Sequence, residues 1–150
     1  MITHKDPIHI FLADDDEDDR NFFNEAITEL RMNNKVTIFK DGKELMEYLE
    51  RSDIKLPHIL FLDLNMPGKT GFDCLREIRS NGRFKDVSIA IYSTSSSEKD
   101  IEETFVGGAN IYIKKPNDFA KLKKVIKDVV NINWQFHSSG LNKETFFFSI

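Results

Sequence analysis

Polar residues stand directly after four of the short apolar runs in this sequence, at positions where they could act together on a phosphate. They supply carboxylates, a hydroxyl and an ammonium, which are groups that bind a divalent cation and stabilise a phosphoryl group. In chain order these residues are Asp14 and Asp15, Asp63 with Asn65 after it, Ser93, and Lys115. Their side chains would meet if the four runs lie side by side in a sheet.

Three carboxylates at one place require a cation. Asp14, Asp15 and Asp63 would repel one another, and at least one of them would stay protonated. Mg²⁺ removes this conflict because it prefers oxygen ligands in octahedral geometry and keeps several waters. A carboxylate that is ionised at neutral pH can attack phosphorus without a general base and form an acyl phosphate. The metal and Lys115 would offset the charge of the transferring phosphoryl group.

The spacing of apolar residues predicts the elements that would position these groups. Strands are expected at residues 8–13, 36–39, 58–63, 87–92 and 110–113. Amphipathic helices are expected to follow them, beginning near residues 17, 41, 72, 98 and 119. This alternation predicts an α/β fold, a doubly wound parallel sheet of five strands with helices on both faces. Sites in such sheets lie beyond the carboxyl ends of the strands, where the polar residues stand.

Four motifs at these strand ends carry a resemblance to a known family. They are Ala13-Asp14-Asp15-Asp16, the stretch Leu62-Asp63-Leu64-Asn65-Met66-Pro67-Gly68 followed by Gly71, the hydroxyl of Ser93, and Lys115-Pro116. Together they resemble the receiver domain of two-component response regulators, over about residues 8–130. The resemblance implies a flavodoxin-like sheet with strand order 2-1-3-4-5. Three further features also resemble a single-domain subfamily that includes partners of bacterial phytochromes: Thr94-Ser95-Ser96, Asn117-Asp118-Phe119 after Pro116, and the aromatic C-terminal extension.

The resemblance implies a role for each acidic residue. Asp63 would accept a phosphoryl group from a phosphohistidine on a sensor histidine kinase or a phosphotransfer protein. Asp15, Asp63 and the backbone carbonyl of Asn65 would bind Mg²⁺, and Asp14 would act through a bound water. The protein would then be a stoichiometric phosphoacceptor, with self-catalysed Mg²⁺-dependent phosphoryl transfer and autodephosphorylation, and not an enzyme that turns over a substrate.

The resemblance also implies how phosphorylation would be read out. Lys115 would pair with the phosphoryl group, and Ser93 would donate a hydrogen bond to one of its oxygens. Tyr112, three residues before Lys115, would turn inward on activation. The peptide bond between Lys115 and Pro116 would be cis. These changes would alter the contacts made with a downstream protein, which the sequence does not name.

Composition limits the classes of function. The 150 residues are predicted to form one receiver domain, residues 1–130, and an aromatic C-terminal extension, residues 131–150, too short for an effector domain. The 21 Lys and Arg against 25 Asp and Glu give a net charge of −4, which argues against nucleic-acid binding. No apolar run approaches the ~20 residues that would span a membrane. Cys74 is the only cysteine, so we expect no internal disulfide and a cytoplasmic location.

Simpler interpretations apply to several charged or aromatic segments. Residues 16–19 are interpreted as a solvated helix start, since acidic groups are favoured there by the helix dipole. The lysines of the last helix form a solvated face or a docking surface for an acidic partner. The C-terminal extension would pack on its own domain, or else an exposed aromatic patch would mark the interface of a homodimer.

Two other classes of function compete with the phosphorylation switch. A Mg²⁺-dependent phosphohydrolase would also place an Asp nucleophile after a parallel strand, but such enzymes usually have a second Asp where this chain has Asn65. A binding module that has lost phosphorylation would act by protein contact alone, although all the groups for phosphorylation are present. Turnover of phosphate esters would favour the first, and failure to bind beryllium fluoride would favour the second.

Overall fold

The computed structural model describes residues 6–135 and 147–148, with side chains described up to residue 132. The strands are β1 (Ile8–Ala13), β2 (Asn34–Phe39), β3 (Ile59–Leu62), β4 (Ser88–Ser93), β5 (Ile111–Lys114) and β6 (Phe147–Phe148). The α-helices are α1 (Glu17–Leu30), α2 (Gly42–Leu49), α3 (Gly71–Arg79), α4 (Glu98–Val106) and α5 (Phe119–Gln135), and a 3₁₀ turn spans Gly82–Phe84. Within the described part of the chain, no helix is long and apolar enough to cross a membrane.

The sheet is parallel throughout and has the order β2-β1-β3-β4-β5-β6. The predicted doubly wound order 2-1-3-4-5 is therefore confirmed. Strand β6 was not predicted. It lies in the C-terminal extension, and its Phe147 pairs with Tyr112 of β5. Helix α5 also continues to Gln135, past the predicted boundary at residue 130. The predictions for the tail aromatics between residues 136 and 146 lie outside the described residues.

Two apolar cores, one on each face, hold the sheet between its helices. Strand β3 is buried on both faces, as expected for a central parallel strand. Its Phe61 packs edge-on against Phe23 of α1, with ring centroids 5.0 Å apart, in the core that α1 and α5 cover. Leu60 and Leu62 point into the opposite core, which α2, α3 and α4 cover. The carboxyl ends of β1 and β3 are thus fixed side by side by packing on both faces.

Side-chain caps mark where helices begin, as at α1, α3 and α4. The Asp16 carboxylate accepts a hydrogen bond from the Asp19 N–H at 2.9 Å, which starts α1 immediately after the acidic pair. Thr70 caps α3, and Ser97 caps α4 by accepting from the N–H of Asp100. Because each cap follows a strand end closely, the helices start beside the carboxyl edge of the sheet.

Strands β4 and β5 each begin one residue later than predicted. Asn110 was assigned to β5, but its side chain accepts hydrogen bonds from the N–H of Ile89 and from the Arg79 guanidinium, both at 2.8 Å. Asn110 therefore joins α3 to β4 before β5 starts. Hydrophobic spacing could not reveal this, because the interaction depends on a side chain 31 residues away.

Candidate functional site

The carboxyl ends of β1, β3 and β5 bring two acids and one ammonium together. Asp14 and Asp63 are buried, with 0% and 4% of their surfaces exposed. The Lys115 Nζ atom lies 2.9 Å from Asp14 Oδ2 and 3.7 Å from Asp63 Oδ2. The side chains of residues predicted to form the site therefore converge from three separate strands.

Asp14, Asp15 and Asp63 form an acidic triad, in which one oxygen of each carboxylate lies within 4.8 Å of the others. Among the described residues, it is the one group of three or more acids, histidines or cysteines with metal-ligand spacing. Asp14 Oδ1 accepts from the N–H of Asp16, but its buried Oδ2 has only the ion pair with Lys115 and accepts no hydrogen bond. Hard oxygen ligands, one of them without a hydrogen bond, fit a divalent cation such as Mg²⁺.

Burial and mutual repulsion raise the pKa values of the two buried acids, Asp14 and Asp63. Burial raises the pKa of Asp63 from 3.8 to about 7, and the charges of Asp14 and Asp15 add to this, although Lys115 and the N–H of Asn65 oppose it. Burial also raises the pKa of Asp14. Without a cation, a proton would therefore remain on the triad near neutral pH. This agrees with the expectation that three converging carboxylates need a counter-charge.

Asn65 follows β3 in an exposed position, and its N–H lies 3.4 Å from Asp63 Oδ1. Its side chain is exposed. That the Asn65 carbonyl binds the metal stays a prediction.

Lys115 is held in place from several sides. Its backbone N–H donates to the carbonyl of Ser93 at 2.7 Å, which extends the pairing of β4 with β5. Its ammonium lies 5.3 Å from the ring centroid of Tyr92, and the stem is buried. Burial alone would lower the pKa of Lys115, but the hydrogen bond to Asp19 and the charges of Asp14 and Asp63 raise it above its ordinary value. The Lys115 side chain therefore keeps its positive charge near neutral pH.

Asp19 is the site residue that sequence reasoning missed. It was assigned to a solvated helix start, but its Oδ2 accepts a hydrogen bond from the Lys115 ammonium at 2.9 Å. Asp19 lies in the first turn of α1, near the strand ends, but no signal in the sequence distinguishes it from Asp18.

Ser93 and Tyr112 lie in one hydrogen-bonded network beneath the loop between β4 and α4. Both are fully buried. Ser93 Oγ accepts from the N–H of Ser95 at 3.1 Å, and the Tyr112 hydroxyl donates to the carbonyl of Ser95 at 2.9 Å. The Ser95 hydroxyl in turn donates to Asp100 of α4 at 2.8 Å. The ring of Tyr112 thus points inward, and Ser95 connects it to Ser93 and to α4.

The prediction of a cis bond before Pro116 is wrong. No peptide bond in the described residues is cis, so Lys115 and Pro116 are joined in the trans form. The trans form is intrinsically favoured before proline by about 0.5–1 kcal/mol. Here it is compatible with both the backbone bond from Lys115 to Ser93 and the ammonium contact with Asp14.

Gly71 lets the start of α3 approach the backbone of Asp63. A Cβ atom at Gly71 would collide with the Asp63 carbonyl and lie 2.7 Å from Cα of Leu64. We expect Gly71→Ala to lower the free energy of unfolding by about 1–3 kcal/mol, since backbone must move to accommodate the methyl group. Urea unfolding followed by circular dichroism measures this effect. The matched variant Gly82→Ala, whose Cβ would meet open space, should change stability far less.

One family model and several known proteins are similar to this chain. The family model described as the response regulator receiver domain matches residues 10–127. Response regulator Rcp1 of Synechocystis sp. is 26% identical over 127 residues, which cover 82% of this chain and 86% of that protein. The probable methanogenesis regulatory protein FilR2 of Methanothrix harundinacea is 27% identical over 132 residues, with coverages of 86% and 85%.

Solved structures of such regulators superpose over most of the chain. The phosphorylated cyanobacterial phytochrome response regulator RcpA has a TM-score of 0.78 and 29% identity, covering 91% of this chain and 99% of its own. The Mn²⁺-bound form of Rcp1 has a TM-score of 0.74 and 25% identity, with coverages of 90% and 98%. Residues 10–127, which the family model matches, contain the whole acidic triad and Lys115.

Proposed function

This chain belongs to the response regulator receiver domain family, and from that premise we propose that it accepts a phosphoryl group on Asp63 from a phosphohistidine of a sensor kinase or phosphotransfer protein. The observation that carries the proposal is the buried Asp63 carboxylate, which faces Lys115 and shares the acidic triad. Asp63 is also the triad member at the end of the central strand β3, between the ends of β1 and β4.

The reaction transfers a phosphoryl group from an imidazole nitrogen of the donor to a carboxylate oxygen of Asp63. A carboxylate oxygen of Asp63 attacks phosphorus, the new P–O bond forms, and the P–N bond to the donor imidazole breaks. The leaving imidazole takes the electron pair of that bond. The Lys115 ammonium offsets the negative charge on the phosphoryl oxygens.

Asp15, Asp63 and the backbone carbonyl of Asn65 would hold Mg²⁺, with Asp14 acting through water. When bound, Mg²⁺ neutralises the acids and polarises the phosphoryl group. The spacing of the acidic triad and the raised pKa of Asp63 support a cation at this position. The Mn²⁺-bound form of the relative Rcp1 supports a divalent ion in general.

Ser93 and Tyr112 would convert phosphorylation into a change of surface. Ser93 accepts one hydrogen bond from Ser95, so its own hydroxyl proton can be donated to a phosphoryl oxygen. Movement of Ser93 would pull on Ser95, which also bonds Tyr112 and Asp100. The face formed by α4, β5 and α5 would then change its affinity for a downstream protein or for a second copy in a homodimer.

Labelling with acetyl phosphate tests the proposal. In the presence of Mg²⁺ the protein is expected to take up close to one phosphoryl group per chain, and EDTA is expected to prevent uptake, because the uncompensated triad repels the donor. Mass spectrometry of the intact protein measures the stoichiometry. Steady release of many phosphates per chain from p-nitrophenyl phosphate would instead identify a phosphohydrolase.

A further inference from the structure

We propose that Asp19 is a positioning residue that holds the Lys115 ammonium away from Asp63 until a phosphoryl group competes for it. The inference rests on the proposed function, since it concerns how Lys115 serves phosphorylation of Asp63. It assigns a role to a residue outside the acidic triad, on helix α1 instead of on a strand end.

The distances around the ammonium are unequal. Asp19 Oδ2 accepts a hydrogen bond from Lys115 Nζ at 2.9 Å, whereas Asp63 Oδ2 is 3.7 Å away, beyond hydrogen-bond length. Asp14 Oδ2 is also 2.9 Å from the ammonium. The ammonium, which has three N–H donors, therefore lies closer to Asp14 and Asp19 than to the phosphoacceptor.

Asp19 is suited to be a replaceable partner. Its side chain is 38% exposed, while that of Asp63 is 6% exposed, so water can solvate the Asp19 carboxylate when the ammonium leaves. Its backbone is fixed, because its N–H donates to the capping carboxylate of Asp16. The carboxylate thus keeps its place at the rim while Lys115 moves.

A phosphoryl group on Asp63 would add anionic oxygens near the ammonium, which lies 3.7 Å from Asp63 Oδ2. An ammonium drawn toward these oxygens would weaken its hydrogen bond to Asp19. Charge-assisted hydrogen bonds are about twice as strong as neutral ones, so the contact with Asp19 opposes this movement. Replacing the carboxylate with a neutral amide should remove most of that opposition.

Beryllium fluoride, which forms a phosphoryl-like adduct on the acceptor, provides the test. At saturating Mg²⁺ and physiological salt, we expect Asp19→Asn to bind beryllium fluoride about three- to tenfold more tightly than the wild type in calorimetric titrations. Asp19→Glu keeps the charge, so its affinity for beryllium fluoride should be close to that of the wild type. Thermal unfolding should show that both variants are folded.

Asp18→Asn is the matched control. Asp18 lies in the same turn of α1, is exposed, and carries the same charge, so its replacement reports the general gain in anion affinity from losing one negative charge. If Asp19→Asn exceeds Asp18→Asn by at least about threefold, a specific restraint on Lys115 is supported. Equal effects of the two variants, or weaker binding by Asp19→Asn, would overturn it.

The two proposals fail in different ways. A wild-type protein that binds no beryllium fluoride with Mg²⁺ present contradicts phosphorylation at Asp63, and with it the role of Asp19. If the wild type binds beryllium fluoride but Asp19→Asn binds it no more tightly than Asp18→Asn does, only the role of Asp19 is contradicted.

Discussion

Asp63→Asn is expected to lose phosphoryl uptake from acetyl phosphate, with a rate at least about 100-fold below that of the wild type, because a carboxamide is not a competent nucleophile toward phosphorus. Asparagine is close to aspartate in size and fits the same buried position at the end of β3. The expected loss is therefore chemical and not a consequence of unfolding. Intact-protein mass spectrometry with Mg²⁺ present measures the labelled fraction over time.

Asp86→Asn is the matched control for this substitution. Asp86 is an exposed residue just before β4, at the end of the strands opposite to the acidic triad. The substitution makes the same exchange of carboxylate for amide. Its labelling should follow that of the wild type. If Asp63→Asn were labelled at the wild-type rate with phosphate that base and hydroxylamine release, the acceptor would have to be another carboxylate, and the assignment of Asp63 would be wrong.

The fold could be predicted because its main determinants are local. Each apolar run is bounded by polar residues, and the alternation with amphipathic helices admits few arrangements other than a doubly wound sheet. The buried run Ile59–Leu62, for instance, could only be a central strand. Strand β6 could not be predicted in this way, because Phe147 and Phe148 lie in a tail whose apolar spacing fits a strand, a packed loop or an interface equally well.

The acidic triad could be predicted because its members follow strand ends directly. The parallel topology alone brings Asp14 and Asp63 to the same edge. Asp19 could not be separated from Asp18 in the sequence, since the two differ only in the face of α1 on which they lie. That face is set by the angle at which α1 packs on β1, β3 and α5, which is a tertiary property. The cis bond before Pro116 was carried over from a resemblance and had no support in the residues themselves.

The raised pKa of Asp63 predicts how stability depends on pH when no divalent cation is present. The folded protein keeps a proton on Asp63 up to about pH 7, whereas an unfolded chain releases it near pH 3.8. Over this window the folded state binds more protons than the unfolded state, so raising the pH lowers the free energy of unfolding. At about 1.4 kcal/mol per pKa unit, the loss attributable to Asp63 between pH 5 and pH 8 is on the order of 2–3 kcal/mol.

Urea unfolding of the wild type and of Asp63→Asn in EDTA isolates this contribution. Titrating groups remote from the triad are shared by the two proteins, so their effects cancel in the difference, and Asp63→Asn should gain stability over the wild type as the pH rises from 5 to 8. Mg²⁺ at pH 8 should restore the wild type by about 2.7 kcal/mol at 100 times its dissociation constant, because it binds the ionised triad of the folded state. Parallel pH profiles for the two proteins would mean that Asp63 ionises normally, and the repulsion within the triad would then be relieved by Lys115 alone.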